Sequence, residues 1–170
     1  MREGNIPDVY VQNEKYFAKY KDEIKQLYGH GIGKIDKVAL HIRRGDYLKA
    51  TQFHVNLWDT DYYKEAVKYF PNEKFLVFCK DNQSTEQDRD DNEWCQSNLP
   101  SLGIDFEMHS HTTEEEDLNI MASCKSIIMA NSSFSWWAAW LGNHEQVICP
   151  KSWFTDGNQR TGLLDNWTKI

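Results

Sequence analysis

No stretch of this sequence approaches the roughly 18 consecutive apolar residues that a bilayer-crossing helix needs, and Met1-Arg2-Glu3-Gly4-Asn5 lacks the apolar core of a secretion signal. No transmembrane segment is therefore expected, and a cytoplasmic location is. A basic field is missing as well: 19 Lys and Arg face 26 Asp and Glu, and the net charge of −7 has the wrong sign for a nucleic-acid surface. Any role for the arginines must then be local. Cysteine is sparse, and Cys79, Cys95, Cys124 and Cys149 show no C-x-x-C spacing; three fall in or beside apolar runs, so they read as small core residues in a reducing compartment. His109-Ser110-His111 could set two imidazoles on one side of an extended segment, yet no third ligand stands near them in the sequence and no metal is expected. Internal repeats, low-complexity tracts and linkers are absent too, which leaves a single domain over residues 1–170.

What the chain does have is aromatic bulk, 14% of residues with seven tryptophans, in a length that buries roughly two thirds of its unfolded surface. Apolar runs alternate with helical patterns, the signature of a parallel sheet with crossover helices. Tyr16, Phe17, Tyr20, Ile24, Leu27 and Tyr28 recur at helical spacing and predict a first amphipathic helix, which Gly29-His30-Gly31-Ile32-Gly33 breaks. Strands are predicted at 37–40, 75–79, 104–108, 126–130 and 146–149. One helix between them turns Tyr62, Tyr63, Ala66, Val67 and Phe70 inward, and the next carries Trp94, Cys95 and Leu99. A capping box of Thr113 and Glu116 opens a third, with Leu118, Met121, Ala122 and Cys124 as its stripe; a fourth holds Phe134, Trp137, Ala138 and Leu141. The expected fold is α/β, a Rossmann-like domain of about five mostly parallel strands. Residues 151–170 form a tail that closes over it or docks elsewhere.

The chemistry gathers just past the strand ends. His41-Ile42-Arg43-Arg44-Gly45-Asp46-Tyr47 follows the first strand, and ligands of open α/β sheets bind beyond the carboxyl ends of strands. Forked guanidiniums suit a phosphate or diphosphate. Alternation sends His41 and Arg43 to one face and Ile42 to the other, so Arg43 is the first candidate. For Arg44 and Asp46 a salt bridge closing a turn at Gly45 stands beside the phosphate role. After the fourth strand, Asn131-Ser132-Ser133-Phe134-Ser135 opens a helix whose free N–H groups and serine hydroxyls suit an anion; plain capping is the alternative. Asp81, past the second strand, could accept from a base or ribose, or be a solvated loop carboxylate. Lys80, His109, His111 and Lys151 also follow strands, which brings the polar clusters to one edge of the sheet.

At these residues the sequence resembles the α-1,2-fucosyltransferases, glycosyltransferase family 11. The basic motif is similar at His41-Ile42-Arg43-Arg44-Gly45-Asp46-Tyr47, and the later motif at Asn131-Ser132-Ser133-Phe134-Ser135-Trp136-Trp137-Ala138-Ala139-Trp140-Leu141. Glu14-Lys15-Tyr16-Phe17, Tyr62-Tyr63, Glu93-Trp94-Cys95 and Pro150-Lys151-Ser152-Trp153-Phe154 extend it in consistent order over about residues 11–154.

The resemblance implies the donor half of a GT-B glycosyltransferase and a metal-independent, inverting transfer of L-fucose from GDP-fucose to a galactose hydroxyl in α-1,2 linkage. No cofactor is implied; the partners are the nucleotide sugar and a glycan acceptor. Arg43 falls on the arginine that meets the diphosphate, with His41 beside the nucleotide and Ser132, Ser133 and Ser135 along the phosphates or fucose. Cys79-Lys80-Asp81 stands where the family commonly has serine-aspartate-aspartate. The acceptor hydroxyl needs a base, for which Asp46 is the nearest candidate; Thr51 takes the place of a glutamate in distant relatives, which leaves the base unassigned. Family members carry an N-terminal half that this chain lacks, which leaves open a donor-binding module whose acceptor site comes from a homo-oligomer or a partner chain. A different GDP- or dTDP-linked deoxysugar is the other alternative.

Overall fold

The apolar run at 38–40 is fully buried at the centre of the sheet in a computed structural model of the chain, which describes residues 12–28, 33–79, 86–158 and 161–170. It is the middle of β1 (Ile35–His41), which lies between β2 (Lys74–Phe78) and, on its other side, β4 (Cys124–Ile128). With β3 (Asp105–Met108), β5 (Gln146–Cys149) and β6 (Thr168–Lys169), the order is β3-β2-β1-β4-β5-β6, and every pairing is parallel. The sixth strand comes from the tail, which docks on the sheet edge: Thr168 and Lys169 pair with Ile148 and Cys149. Two half-buried polar residues carry no periodic signal, so the sequence pattern stops at five strands.

Alternation along the strands divides the core in two. Val38, Leu40 and Ile42 share one face with Phe75, Val77, Ile128 and Ile148, under α2 (Tyr62–Ala66) and α3 (Glu86–Asn98). Ala39, Leu76, Phe78, Ile127, Met129 and Val147 share the other, under α4 (Glu114–Ser123) and α5 (Ser133–Leu141). All five apolar residues expected to face inward around α2 are buried, although the α-helix is short and passes into a 3₁₀ turn at Val67–Tyr69. The Thr113 cap forms as read, its hydroxyl accepting from the Glu116 N–H at 3.2 Å. The face of α5 differs: Trp136 and Trp140 are buried, while Phe134 and Trp137 are only half-buried. All four cysteines are buried and free.

The first helix departs from expectation. α1 spans only Lys21–Tyr28, and Tyr16, Tyr20, Leu27 and Tyr28 are 48–63% exposed instead of forming a buried stripe. Two 3₁₀ turns, Glu14–Tyr16 and Ala18–Tyr20, precede it. With three residues per turn in place of 3.6, a stripe drawn at α-helical spacing loses phase there. Phe17 and Ile24 keep contact with the core, and the Phe17 ring stacks 5.3 Å from Trp137. Among the described residues no helix is long and apolar enough to cross a membrane.

Candidate functional site

The strand order reverses between β1 and β4: the chain leaves β1 toward β2 and leaves β4 toward β5 on the opposite side. A crevice therefore opens at the carboxyl ends of these two strands. A cavity of about 470 Å³ sits there, lined by residues 41–46 and by Phe78, Cys79, His109, His111, Glu114, Asp117 and Phe134. Four of the sequence-predicted residues, His41, Arg43, Arg44 and Asp46, share its wall.

Arg43 projects past β1 with its side chain 31% exposed, and its Nη2 donates to Asp46 Oδ1 at 2.7 Å. The guanidinium lies 5.0 Å from the centre of the Tyr47 ring. Its Nε is buried and has no hydrogen-bond partner among the described residues. A buried donor left unmade is costly, which marks this atom as one that a ligand can satisfy.

The salt bridge expected between Arg44 and Asp46 is not the one that forms. Arg44 turns the other way, donating from Nε to Asp91 Oδ1 at 3.0 Å and lying 3.7 Å over the Trp94 ring of α3. Asp91 is 1% exposed. The adjacent arginines diverge where the backbone leaves the strand conformation at Arg44 (φ −123°, ψ −128°), and Gly45 at φ +57° then supplies the left-handed turn into the 3₁₀ segment Gly45–Lys49. Asp46 thus belongs to Arg43, and Arg44 is held in the α3 packing.

His41 is buried beside Phe134, ring centres 6.0 Å apart, and its Nδ1 has no partner among the described residues. Burial, with the Arg43 charge adding to it, drops its pKa to about 3, so the ring is neutral at pH 7. The unfolded chain, with an ordinary imidazole, binds the extra proton below about pH 6.5. Stability from this group is therefore present above that pH and lost as pH falls toward 3. Between pH 7.5 and 5.0, His41→Gln should lose about 2 kcal/mol less unfolding free energy than the parent in urea titrations, since 1.5 pH units lie inside the window. His54 and His144, also lowered by burial, act in the same direction in both proteins. Equal acid losses in the two would refute the assignment to His41.

The segment after β4 is close to Arg43 but is used differently from expectation. The Tyr47 hydroxyl donates to the Asn131 carbonyl at 3.1 Å, joining the loops after β1 and β4. Asn131 itself is 2% exposed, and its Nδ2 donates to Val55 O at 2.9 Å and Trp153 O at 3.1 Å. Ser132 caps α5 by accepting from the Phe134 N–H, and Ser135 Oγ donates to the carbonyls of Ala130 and Ser132. Ser133 is exposed in the first turn of α5. Among the described residues, Phe134 is what α5 contributes to the cavity wall. Asp81 and Lys80 lie outside the described residues.

The far end of the cavity holds a partner that sequence reading missed. Asp117 Oδ1 accepts from His109 Nε2 at 2.8 Å and Oδ2 from His111 Nδ1, with the Thr112 N–H and hydroxyl adding weaker bonds. Burial alone would raise the Asp117 pKa, but the hydrogen bonds from His109, His111 and Thr112 outweigh it and leave the carboxyl below its ordinary value. An ionised carboxylate only accepts, so both histidines donate to it. Among the described residues no group of three or more His, Cys, Asp or Glu is arranged to hold a metal ion.

A parallel sheet with a guanidinium-walled crevice at its switch point places the protein in the Rossmann-like α/β class. Within that class the chain belongs to glycosyl transferase family 11, whose family model matches residues 8–170. It is 33% identical to an alpha-1,2-colitosyltransferase of Escherichia coli over 185 residues, covering 94% of this chain and 60% of that protein. It is 31% identical to the O-antigen biosynthesis glycosyltransferase WbnK of Escherichia coli, over 78% of this chain and 44% of the relative. Human galactoside alpha-(1,2)-fucosyltransferase 1 is 26% identical over 65% of this chain and 30% of its own length. The chain thus spans at most three-fifths of the length of these curated relatives.

Proposed function

We propose that the cavity binds the diphosphate of GDP-fucose, and that the chain is the donor-binding part of a cytoplasmic, GT-B-type, inverting glycosyltransferase that passes L-fucose to a galactose hydroxyl in α-1,2 linkage. Arg43 carries the reading: a guanidinium with an unpartnered buried Nε, facing the cavity at the end of β1. The names of relatives at 33% and 26% identity, both alpha-1,2 transferases, support the linkage.

Breaking the glycosyl–phosphate bond builds negative charge on the departing diphosphate, and a fixed guanidinium stabilises charge that grows in the transition state. In this reading Arg43 supplies that counter-charge without a metal. An arriving diphosphate competes with Asp46 for Nη2; inversion needs the base on the sugar face opposite the diphosphate, so this exposed carboxylate takes the proton of the acceptor hydroxyl only after swinging away from Arg43. Neutral His41 lines the donor beside Arg43. The nucleoside extends toward β3, two strand spacings or about 10 Å away, where His109 and His111 offer polar atoms. The acceptor site is completed by a further domain, a second copy or a partner chain.

A second reading keeps the diphosphate grip and changes the sugar, which the name of the colitosyl relative favours. Calorimetric titration separates the possibilities. GDP and GDP-fucose are expected to bind at least about 10-fold more tightly than UDP or dTDP, and transfer to lactose or galactose-ended glycans marks the enzyme. Binding without transfer points to a donor-binding module. UDP or dTDP outcompeting GDP refutes the donor assignment.

A further inference from the structure

The ring that Arg43 lies on is built from behind. One face of Tyr47 meets the guanidinium, and the ring also stacks on His54, centres 4.1 Å apart and planes 14° from parallel. His54 leans in turn on Phe154, 5.5 Å away, and pairs with it as an antiparallel bridge. Two further backbone bonds tie this loop to the tail, Val55 N–H to Trp153 O at 3.1 Å and Thr155 N–H to Phe53 O at 3.0 Å. Asn131 grips both segments through Val55 O and Trp153 O, while its own carbonyl takes the Tyr47 hydroxyl. The stack Arg43–Tyr47–His54–Phe154 thus runs from the cavity wall into the tail. None of its last three members lines the cavity; Tyr47 reaches it through the Arg43 guanidinium, and its hydroxyl bond to Asn131 ties the same ring to the loop after β4.

We propose that Tyr47 and His54 are positioning residues for Arg43. The Tyr47 ring sets the plane of the guanidinium, and His54 holds the ring by packing against it. The cause is geometric: among the described residues Asp46 is the ion-pair partner of Arg43, and a diphosphate arriving at Nη2 competes for that contact. From then on the ring face is what fixes the orientation of the fork, through a cation–π contact that needs no hydrogen-bonding atom. Arg43 can therefore exchange its carboxylate for a phosphate without turning. This inference rests on the reading of Arg43 as the diphosphate ligand, and the test keeps the two apart.

The experiment is a double-mutant cycle read by calorimetric titration of the full chain with inorganic pyrophosphate and with GDP. Tyr47→Leu should weaken both by roughly 5–10-fold, the scale of one cation–π contact. Tyr47→Phe, which keeps the ring and loses the bond to Asn131 O, should recover most of the affinity, and His54→Phe should likewise exceed His54→Ala. In an Arg43→Ala background, Tyr47→Leu should cost nothing further, because a residue acting through another has no effect once that other is gone. An equal loss in both backgrounds shows a general structural effect and overturns the inference, as does an unchanged affinity in Tyr47→Leu. Where Arg43→Ala binds too weakly to titrate, side-chain ¹⁵Nε relaxation of Arg43 decides: ordered in the parent and Tyr47→Phe, mobile in Tyr47→Leu. A parent chain that binds neither GDP nor pyrophosphate refutes the reading of the site itself, and this inference falls with it.

Discussion

Arg43→Ala is expected to lower donor turnover a few hundredfold, a loss of roughly 3–4 kcal/mol of transition-state stabilisation. In the proposed reading, ground-state affinity for GDP should fall less, since the charge that the guanidinium meets is largest as the sugar departs. Folding should hardly notice. The ion pair that the mutation removes, Arg43 with Asp46, joins side chains 31% and 71% exposed, and such pairs contribute about 0–1 kcal/mol. Removing the side chain also removes the unpartnered Nε. Arg43→Lys keeps the charge and loses the fork, so it should recover only part of the rate. The two variants, measured for GDP affinity, transfer rate and urea midpoint, separate charge from geometry. Arg43→Ala binding GDP and turning over like the parent would show that the diphosphate sits elsewhere.

The strands were legible because their apolar runs are short, continuous and bounded by turn residues, as buried parallel strands are. Their parallel pairing follows from the alternation with helices; the order that opens the crevice between β1 and β4 does not, because many orders satisfy the same alternation, and the structure supplies it. Arg43 and His41 could be placed from the parity of one strand. Arg44 could not, because it lies past the strand end, where side-chain direction is set by the turn at Gly45 and not by the pleat. The serines read as anion ligands because capping and anion binding use the same residue types, and only the bonds of Ser132 and Ser135 separate the two. Two carboxylates were passed over that the sequence did signal. Asp91 stands four residues before Cys95 and Asp117 four before Met121, so each lies on the buried stripe of its helix. A lone aspartate at a stripe position has to find a cationic or N–H partner in the interior. Arg44 serves the first, and His109, His111 and Thr112 the second.

That logic makes Asp91→Ala the variant with the largest expected cost to folding. The Arg44–Asp91 pair is largely withdrawn from water, with side chains 15% and 2% exposed, and the guanidinium is further enclosed by the Trp94 ring at 3.7 Å. Removing the carboxylate leaves a desolvated cation without its counter-ion, a loss of about 3–5 kcal/mol. Against the 5–15 kcal/mol that stabilises a typical domain, this is a large share. The same cost should not follow from removing both charges. Arg44→Met with Asp91→Leu fills a similar volume with apolar atoms, and replacement of a buried pair by hydrophobic groups is often neutral. The double variant should therefore unfold within about 1 kcal/mol of the parent, while Asp91→Ala alone shifts the urea midpoint sharply downward at constant slope. If the single variant loses under about 1 kcal/mol, the guanidinium has found water or another partner, and Arg44 is free enough to serve the cavity that it lines. Should the double variant lose as much as the single one, the pair itself, through its stacking on Trp94, is what fixes the turn after β1. Arg43 would then depend on Arg44 for its place at the crevice, and GDP affinity in the double variant would fall together with stability.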